Sequence, residues 1–151
     1  MTRAGLFLLC LFSTILHTSA ATATAAPSVL YVQVIRGSNQ DRPPGTNSVE
    51  VGPVLGAKLS PVFHWKHYWE TERKKVQLDA GKITKVALAS QRSLEIERLP
   101  SGILEVRLFR RSGLVTKARQ AVAGCMVILG GEEASKESFF VVVRQDKPTV
   151  R

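Results

Sequence analysis

Two segments of the 151-residue chain carry the side chains from which a site could be built. The first is LEVRLFRRSGLVTKARQ at residues 104–120. A two-residue loop at Ser112-Gly113 would set Lys117 against Leu108, a charge among core positions. A three-residue loop, Arg111-Ser112-Gly113, instead pairs Leu108 with Thr116 and Val106 with Ala118 on the inner face. On the outer face it sets Phe109 against Val115, Arg107 against Lys117, and Glu105 against Arg119. Register follows the hydrophobic pattern, so the second arrangement is expected, with Gly113 in the left-handed position of such loops. Like charges directly opposed on a ladder destabilise it, and an anion held between them removes that penalty. Arg107, Arg110, Arg111, Lys117 and Arg119 are therefore a candidate anion-binding face, suited to lipid phosphates, an acidic polysaccharide or nucleic acid. The competing reading is a solvated basic face partly neutralised by Glu105. Arg73-Lys74-Lys75 is a second basic cluster.

The other segment, FHWKHYWE at 63–70, reads as the middle of a strand from Val62 to Thr71. Strand parity then sets Phe63, Trp65, His67 and Trp69 on one face, and His64, Lys66, Tyr68 and Glu70 on the other. The even face is a candidate polar recognition surface. A Trp65/Trp69 stripe could stack on sugar rings, but large aromatics in a small domain are more commonly core. His64 and His67 differ in parity and point apart, so they do not converge on a metal needing both nitrogens near 2.0–2.1 Å. No Gly-x-Ser-x-Gly, His-Glu-x-x-His or phosphate-loop pattern occurs. Pairs such as Glu70 or Glu72 with Glu95 or Glu97 are formally available for glycoside chemistry, with surface charge as the ordinary explanation. The expectation is no catalytic residue, no metal and no cofactor.

Period-two alternation dominates the elements around these segments. Strands are expected at Val29–Arg36, Val62–Thr71, Val76–Leu78, Thr84–Leu88, Ser93–Glu97, Ile103–Arg110, Leu114–Gln120, Val122–Leu129 and Phe139–Arg144, with Val49–Val51 an optional short one. Gly37–Ser48 and Gly130–Ser138 read as polar loops, and the stretch to Pro61 as Gly/Pro-broken. Eight or nine short strands with frequent turn signals imply an all-β fold, an antiparallel β-sandwich (immunoglobulin-like) or partly open barrel. The stretch VQLDAGKITKVAL resembles a hairpin common in immunoglobulin-like exported modules.

The N-terminus, MTRAGLFLLCLFSTILHTSAATATAA, reads as a Sec-type signal peptide. Arg3 is its positive end and Gly5–Leu16 its apolar core. As a helix that core would rise only about 18 Å, short of a ~30 Å hydrocarbon layer. Cleavage is expected after Ala20, with Ala23 and Ala25 as alternatives, leaving one β-sandwich domain at 28–146 and a tail at 147–151. Past the signal no stretch is long and apolar enough to span a membrane. The chain holds 21 Lys+Arg against 12 Asp+Glu, a formal charge of +9, and the signal removes only Arg3. Of its two cysteines, Cys10 leaves with the signal. No intramolecular disulfide is then available, and Cys125, in Cys-Met-Val-Ile-Leu, should be a buried, inert thiol. This composition excludes collagen-like, disulfide-rich and disordered chains. It points to an exported, periplasmic or secreted, non-enzymatic binding or accessory module. The partner would be a protein or an anionic polymer of the envelope or extracellular space. A dedicated polyanion or glycan binder and a small exported hydrolase are the alternatives.

Overall fold

The computed structural model describes residues 28–42, 47–133 and 137–149. The signal segment expected at 1–20 lies outside the described residues. Among the described residues nine strands and one helix follow in order: β1 (Ser28–Ser38), β2 (Val49–Glu50), α1 (Pro53–Phe63), β3 (His67–Leu78), β4 (Ile83–Leu88), β5 (Arg92–Arg98), β6 (Ile103–Arg110), β7 (Gly113–Ala121), β8 (Met126–Glu133) and β9 (Glu137–Arg144). They form two antiparallel sheets, β2-β3-β1-β9-β8 and β4-β5-β6-β7. The fold is thus all-β and sandwich-like, as the alternation implies.

Alternation explains the layer between the sheets. Leu30, Val32 and Val34 of β1, Leu94 and Ile96 of β5, Leu104, Val106 and Leu108 of β6, and Val141 and Val143 of β9 are all buried in it. Burying one such side chain stabilises the fold by roughly 1.5–3 kcal/mol. Cys125 belongs to the same layer at 1% exposure. A second apolar cluster lies on the opposite face of the five-stranded sheet, where Leu55 and Leu59 of α1 meet Ile35, Tyr68, Phe140 and Val142.

Helix α1 corrects the expectation of a broken stretch to Pro61 followed by a strand from Val62. Pro53 occupies a helix-start position where its missing N–H costs nothing. Leu55, Leu59 and Phe63 then recur every fourth residue, one stripe facing the sheet. The helix stops at His64, left-handed at φ 56°, whose N–H donates to the Ser60 carbonyl at 3.1 Å. Gly37 permits the return of the chain, since a Cβ there would lie 2.5 Å from Trp65 Cδ1.

A bulge in β3 reassigns its faces. The β1–β3 register shifts so that Val34 pairs with Glu72 and Ile35 with Glu70, and Thr71 is the extra residue. Tyr68 therefore packs against the helix side, while Val76 and Leu78 pack between the sheets. Glu70, facing the helix side with Tyr68, is bound by Gln33 Nε2 and by Arg73, whose Nε and Nη2 donate at 2.6 and 2.8 Å. Pro148, expected in a separate tail, is buried, and its carbonyl accepts from Arg73 Nη1 at 3.3 Å.

Three local expectations also change. VQLDAGKITKVAL is an arch, not a hairpin, because β3 and β4 belong to different sheets. In the β6–β7 hairpin the expected pairs from Glu105 to Leu108 are present, but a shift at Phe109 sets it against Leu114 instead of Val115, and Arg110 against Gly113. Gly113 is left-handed at φ 125°. Strands β8 and β9 run into the expected polar loop, so that Gly130 pairs with Phe140 and Glu133 with Glu137. Residues 134–136 lie outside the described residues.

Candidate functional site

The inward-facing rows of three strands end in arginine at one end of the sandwich. On β1 the row Leu30, Val32, Val34 continues to Arg36. On β5, Ile96 and Leu94 continue to Arg92, and on β6, Val106 and Leu108 continue to Arg110. Arg92 and Arg110 are cross-strand partners. Arg36 pairs in register with Phe139, and the Arg92 guanidinium stands 3.9 Å from the centroid of the Phe139 ring. Arg92 is 7% exposed. Its guanidinium is pushed below its ordinary value, first by burial and then by repulsion from Arg110 and Arg36. A fixed, dehydrated cation among like charges gains most from an arriving anion.

Two adjoining hollows open there. One, of about 200 Å³, is lined by Arg36, Asn47, Ser48, Thr71, Ser90 and Arg92, with Val34, Ala89 and Phe139 as its apolar wall. The other, of about 270 Å³, lies between Ser90, Gln91, Arg92, Arg110, Arg111 and Ser112. Ser90 and Arg92 belong to both, so the two make one cleft. Guanidinium forks, hydroxyls and an amide are the donor set for an oxyanion. Glu137 neutralises part of the charge, 3.3 Å from Arg36 Nε. A hollow at the opposite end, of about 330 Å³, carries one cation, Arg98, whose Nη1 donates to Ser28 Oγ at 3.0 Å.

The wall between the hollows is held deliberately. The β4–β5 loop is Ala89-Ser90-Gln91, and Ser90 and Gln91 are left-handed at φ 59° and 56°. Neither is glycine, so each costs on the order of 1 kcal/mol or more. The bulge at Thr71 turns Glu72 and Lys74 inward to brace that loop. Glu72 Oε2 accepts the Ala89 N–H at 2.9 Å, and Lys74 binds both Glu72 and the Ala87 carbonyl.

The residues singled out from sequence fall in different places. Arg107 lies on the outer face of the four-stranded sheet, opposite Lys117 as expected. It is held by Glu105 at 2.6 Å, Glu97 at 2.7 Å and Glu95 at 3.1 Å, and Arg119 also binds Glu105. Neighbouring β5 supplies Glu95 and Glu97, which the hairpin read alone leaves out. Arg107 draws Glu105 below the ordinary carboxylate value, with Arg119 adding to it. Arg110 and Arg111 separate from this face and line the cleft. Lys117 is exposed, with no carboxylate partner among the described residues.

The proposed even face of 63–70 does not form, because the strand begins only at His67. His64 caps α1 and Lys66 donates its N–H to Asn39 Oδ1 at 3.1 Å. Tyr68 and Glu70 are buried toward the helix side. His67 lies 3.7 Å from Glu50 and 3.8 Å from Asp41. The tryptophans do not form a stripe. Trp65 packs on the helix-side cluster, and Trp69, paired with Arg36, stacks on His67 at 5.6 Å.

Arg36 and Arg92 escaped attention because each reads as the solvent end of a strand. The available signal was the row Leu-x-Val-x-Val-x-Arg at 30–36, in which the arginine continues the buried parity. No helix among the described residues is long and apolar enough to cross a membrane. No family model, curated protein or solved structure matches the chain, so the reading of this cleft rests on its own residues.

Proposed function

We propose that this protein is an exported, non-enzymatic accessory module of the cell envelope or extracellular space, and that the arginine cleft is where it holds an anionic partner. The observation that carries this reading is the ending of three core rows in Arg36, Arg92 and Arg110 around a hollow lined with hydroxyls. Repulsion from Arg110 and Arg36 acts on the buried Arg92 guanidinium, and an anion arriving among them relieves it. The net charge of +9 raises the local concentration of such a partner. The hydroxyls of Ser48, Thr71 and Ser90 stand among cations, and no histidine lines the cleft among the described residues, which favours holding an oxyanion over hydrolysing an ester.

The test is retention of the purified protein on heparin, a sulfated polymer, across a salt gradient. Retention should fall steeply with ionic strength. Arg92→Met with Arg110→Gln should weaken it at least tenfold, while Lys75→Gln with Lys85→Gln should change it less than twofold. Equal losses from both pairs would reduce the binding to net charge and overturn the site.

A further inference from the structure

Strand β7 is an edge of the four-stranded sheet, and among the described residues β6 is its one ladder partner. It runs nine residues, and all but Thr116 and Ala118 are exposed. An antiparallel strand turns the N–H and C=O of every second residue toward one neighbour and the rest toward the other. On β7 the second of these rows faces no strand among the described residues. The opposite edge of the sheet, β4, is partly covered. Lys74 of β3 binds the Ala87 carbonyl there, and Glu72 accepts the Ala89 N–H just beyond at 2.9 Å.

Outer-face side chains run in rows across this sheet. From β4 to β7 one row reads Lys85, Glu95, Arg107, Lys117, and the next reads Ile83, Glu97, Glu105, Arg119. In the first row Lys85 holds Glu95 at 3.0 Å, and Glu95 holds Arg107 at 3.1 Å. Charge alternates as far as Arg107 and then repeats at Lys117, which has no carboxylate partner among the described residues. In the second row Arg119, its side chain 62% exposed, shares Glu105 with Arg107. Both rows end on a cation at the open edge.

We propose that β7 receives an extended segment of a partner protein as an added strand, with carboxylates at two alternate positions set opposite Lys117 and Arg119. In such strand addition main-chain hydrogen bonds supply affinity and alternate side chains supply specificity. A second copy of this chain is a poor occupant. Antiparallel β7 edges in their centred registers would set Lys117 against Lys117 or Arg119, and like charges directly opposed destabilise a ladder. Lysine on an edge strand guards against self-pairing in this way, and an acidic strand turns the same repulsion into attraction. Neither Lys117 nor Arg119 lines the arginine cleft, so this surface does not rest on the anion-binding reading.

Fluorescence anisotropy of labelled peptides titrated with the full chain tests this. One peptide alternates Glu with Val and its counterpart alternates Lys with Val. Two derivatives of the Glu peptide are N-methylated, one on its Glu residues and one on its Val residues. The Glu peptide should bind and the Lys peptide should not. N-methylation should abolish binding for the set of amides that faces β7 and spare it for the other. Lys117→Glu should weaken the Glu peptide about tenfold and allow the Lys peptide to bind, since attraction and like-charge opposition change places. Arg92→Met with Arg110→Gln should leave peptide binding unchanged, whatever it does to heparin retention. Absence of Glu-peptide binding, or indifference to Lys117→Glu, overturns the proposal and leaves the cleft reading to its own heparin test. Equal binding of the two N-methylated peptides also overturns it, because the contact would then be that of any polyanion. A dimer of the free chain that the Glu peptide dissociates would assign the edge to a second copy instead.

Discussion

The guanidinium of Arg92 rests on the ring of Phe139, 3.9 Å from its centroid. The layer between the sheets therefore ends with a cation of one sheet seated on an aromatic of the other. Attraction of this kind contributes about 0.5–2 kcal/mol. Burial and the nearby Arg110 and Arg36 act against it.

Those effects oppose one another, so Arg92→Met should leave stability within about 1 kcal/mol of wild type, since Met keeps the contact with the ring. A charge-assisted hydrogen bond to a ligand is worth about 1.5–3 kcal/mol, so the same variant should lose tenfold or more in anion affinity. Denaturant midpoints and heparin retention measured on one preparation check the split. A large fall in midpoint with unchanged retention would make Arg92 a structural residue only.

The outer face of the four-stranded sheet sets the response to acid. Arg107 and Arg119 hold Glu105 below its ordinary value, and Lys85, with Arg107, does the same for Glu95. A carboxylate depressed in the fold contributes stability above its unfolded pKa, about 4.3 for Glu. That contribution is lost as pH falls through the depressed folded value. Thermal midpoints should therefore be level from about pH 7 to pH 5 and fall below about pH 4. Glu105→Gln should lower the neutral-pH midpoint and flatten the acid limb. A midpoint unaffected by that substitution at both ends would show the network contributes nothing.

Helix α1 should be integral to the fold. Leu59 is fully buried against the sheet, and truncating such a side chain costs about 2–5 kcal/mol. Leu59→Ala should shift the whole unfolding transition, followed by circular dichroism and by tryptophan fluorescence together. Separate transitions for the two probes would mean the helix docks independently. Gly37→Ala should also destabilise, by about 1–3 kcal/mol, because its Cβ would meet Trp65 Cδ1 at 2.5 Å and Phe140 Cε2 at 3.0 Å.

How much of this was readable follows from period and partner. Strands with clean alternation, such as 92–98 and 103–110, were legible because their inner rows are uninterrupted. Pro53 and Pro61 disguised α1, whose stripe of Leu55, Leu59 and Phe63 is sound helical spacing once Pro53 is read as a start signal. The bulge at Thr71 was invisible, yet it decides that Glu70 packs toward the helix side while Glu72 braces the Ser90 loop. Site residues failed for a different reason. The hairpin pairs Arg107–Lys117 and Glu105–Arg119 were derivable from one hairpin, but the neighbour that neutralises Arg107 is β5, and sheet order is not written in local pattern. Arg36, Arg92 and Arg110 converge only because three strands end at the same level.

Cys125 offers a probe of whether the sandwich opens. It is 1% exposed within the inter-sheet layer, and burial, with Asp146 nearby, pushes its thiol above the ordinary value. The thiolate is the reactive form, so labelling by a disulfide reagent should be slow at neutral pH and limited by opening of the fold. A group whose pKa is raised in the fold contributes stability below its unfolded pKa, about 8.5 for Cys. That contribution is lost as pH rises through the folded value, so stability should decline in alkaline solution. Cys125→Ser keeps the size but adds a buried hydroxyl in place of a weakly polar thiol. It should cost about 1–3 kcal/mol and remove the alkaline decline specific to the thiol. Fast labelling of the native protein at neutral pH, at the rate of the unfolded chain, would show that the layer around Val122 and Val127 does not close over the sulfur.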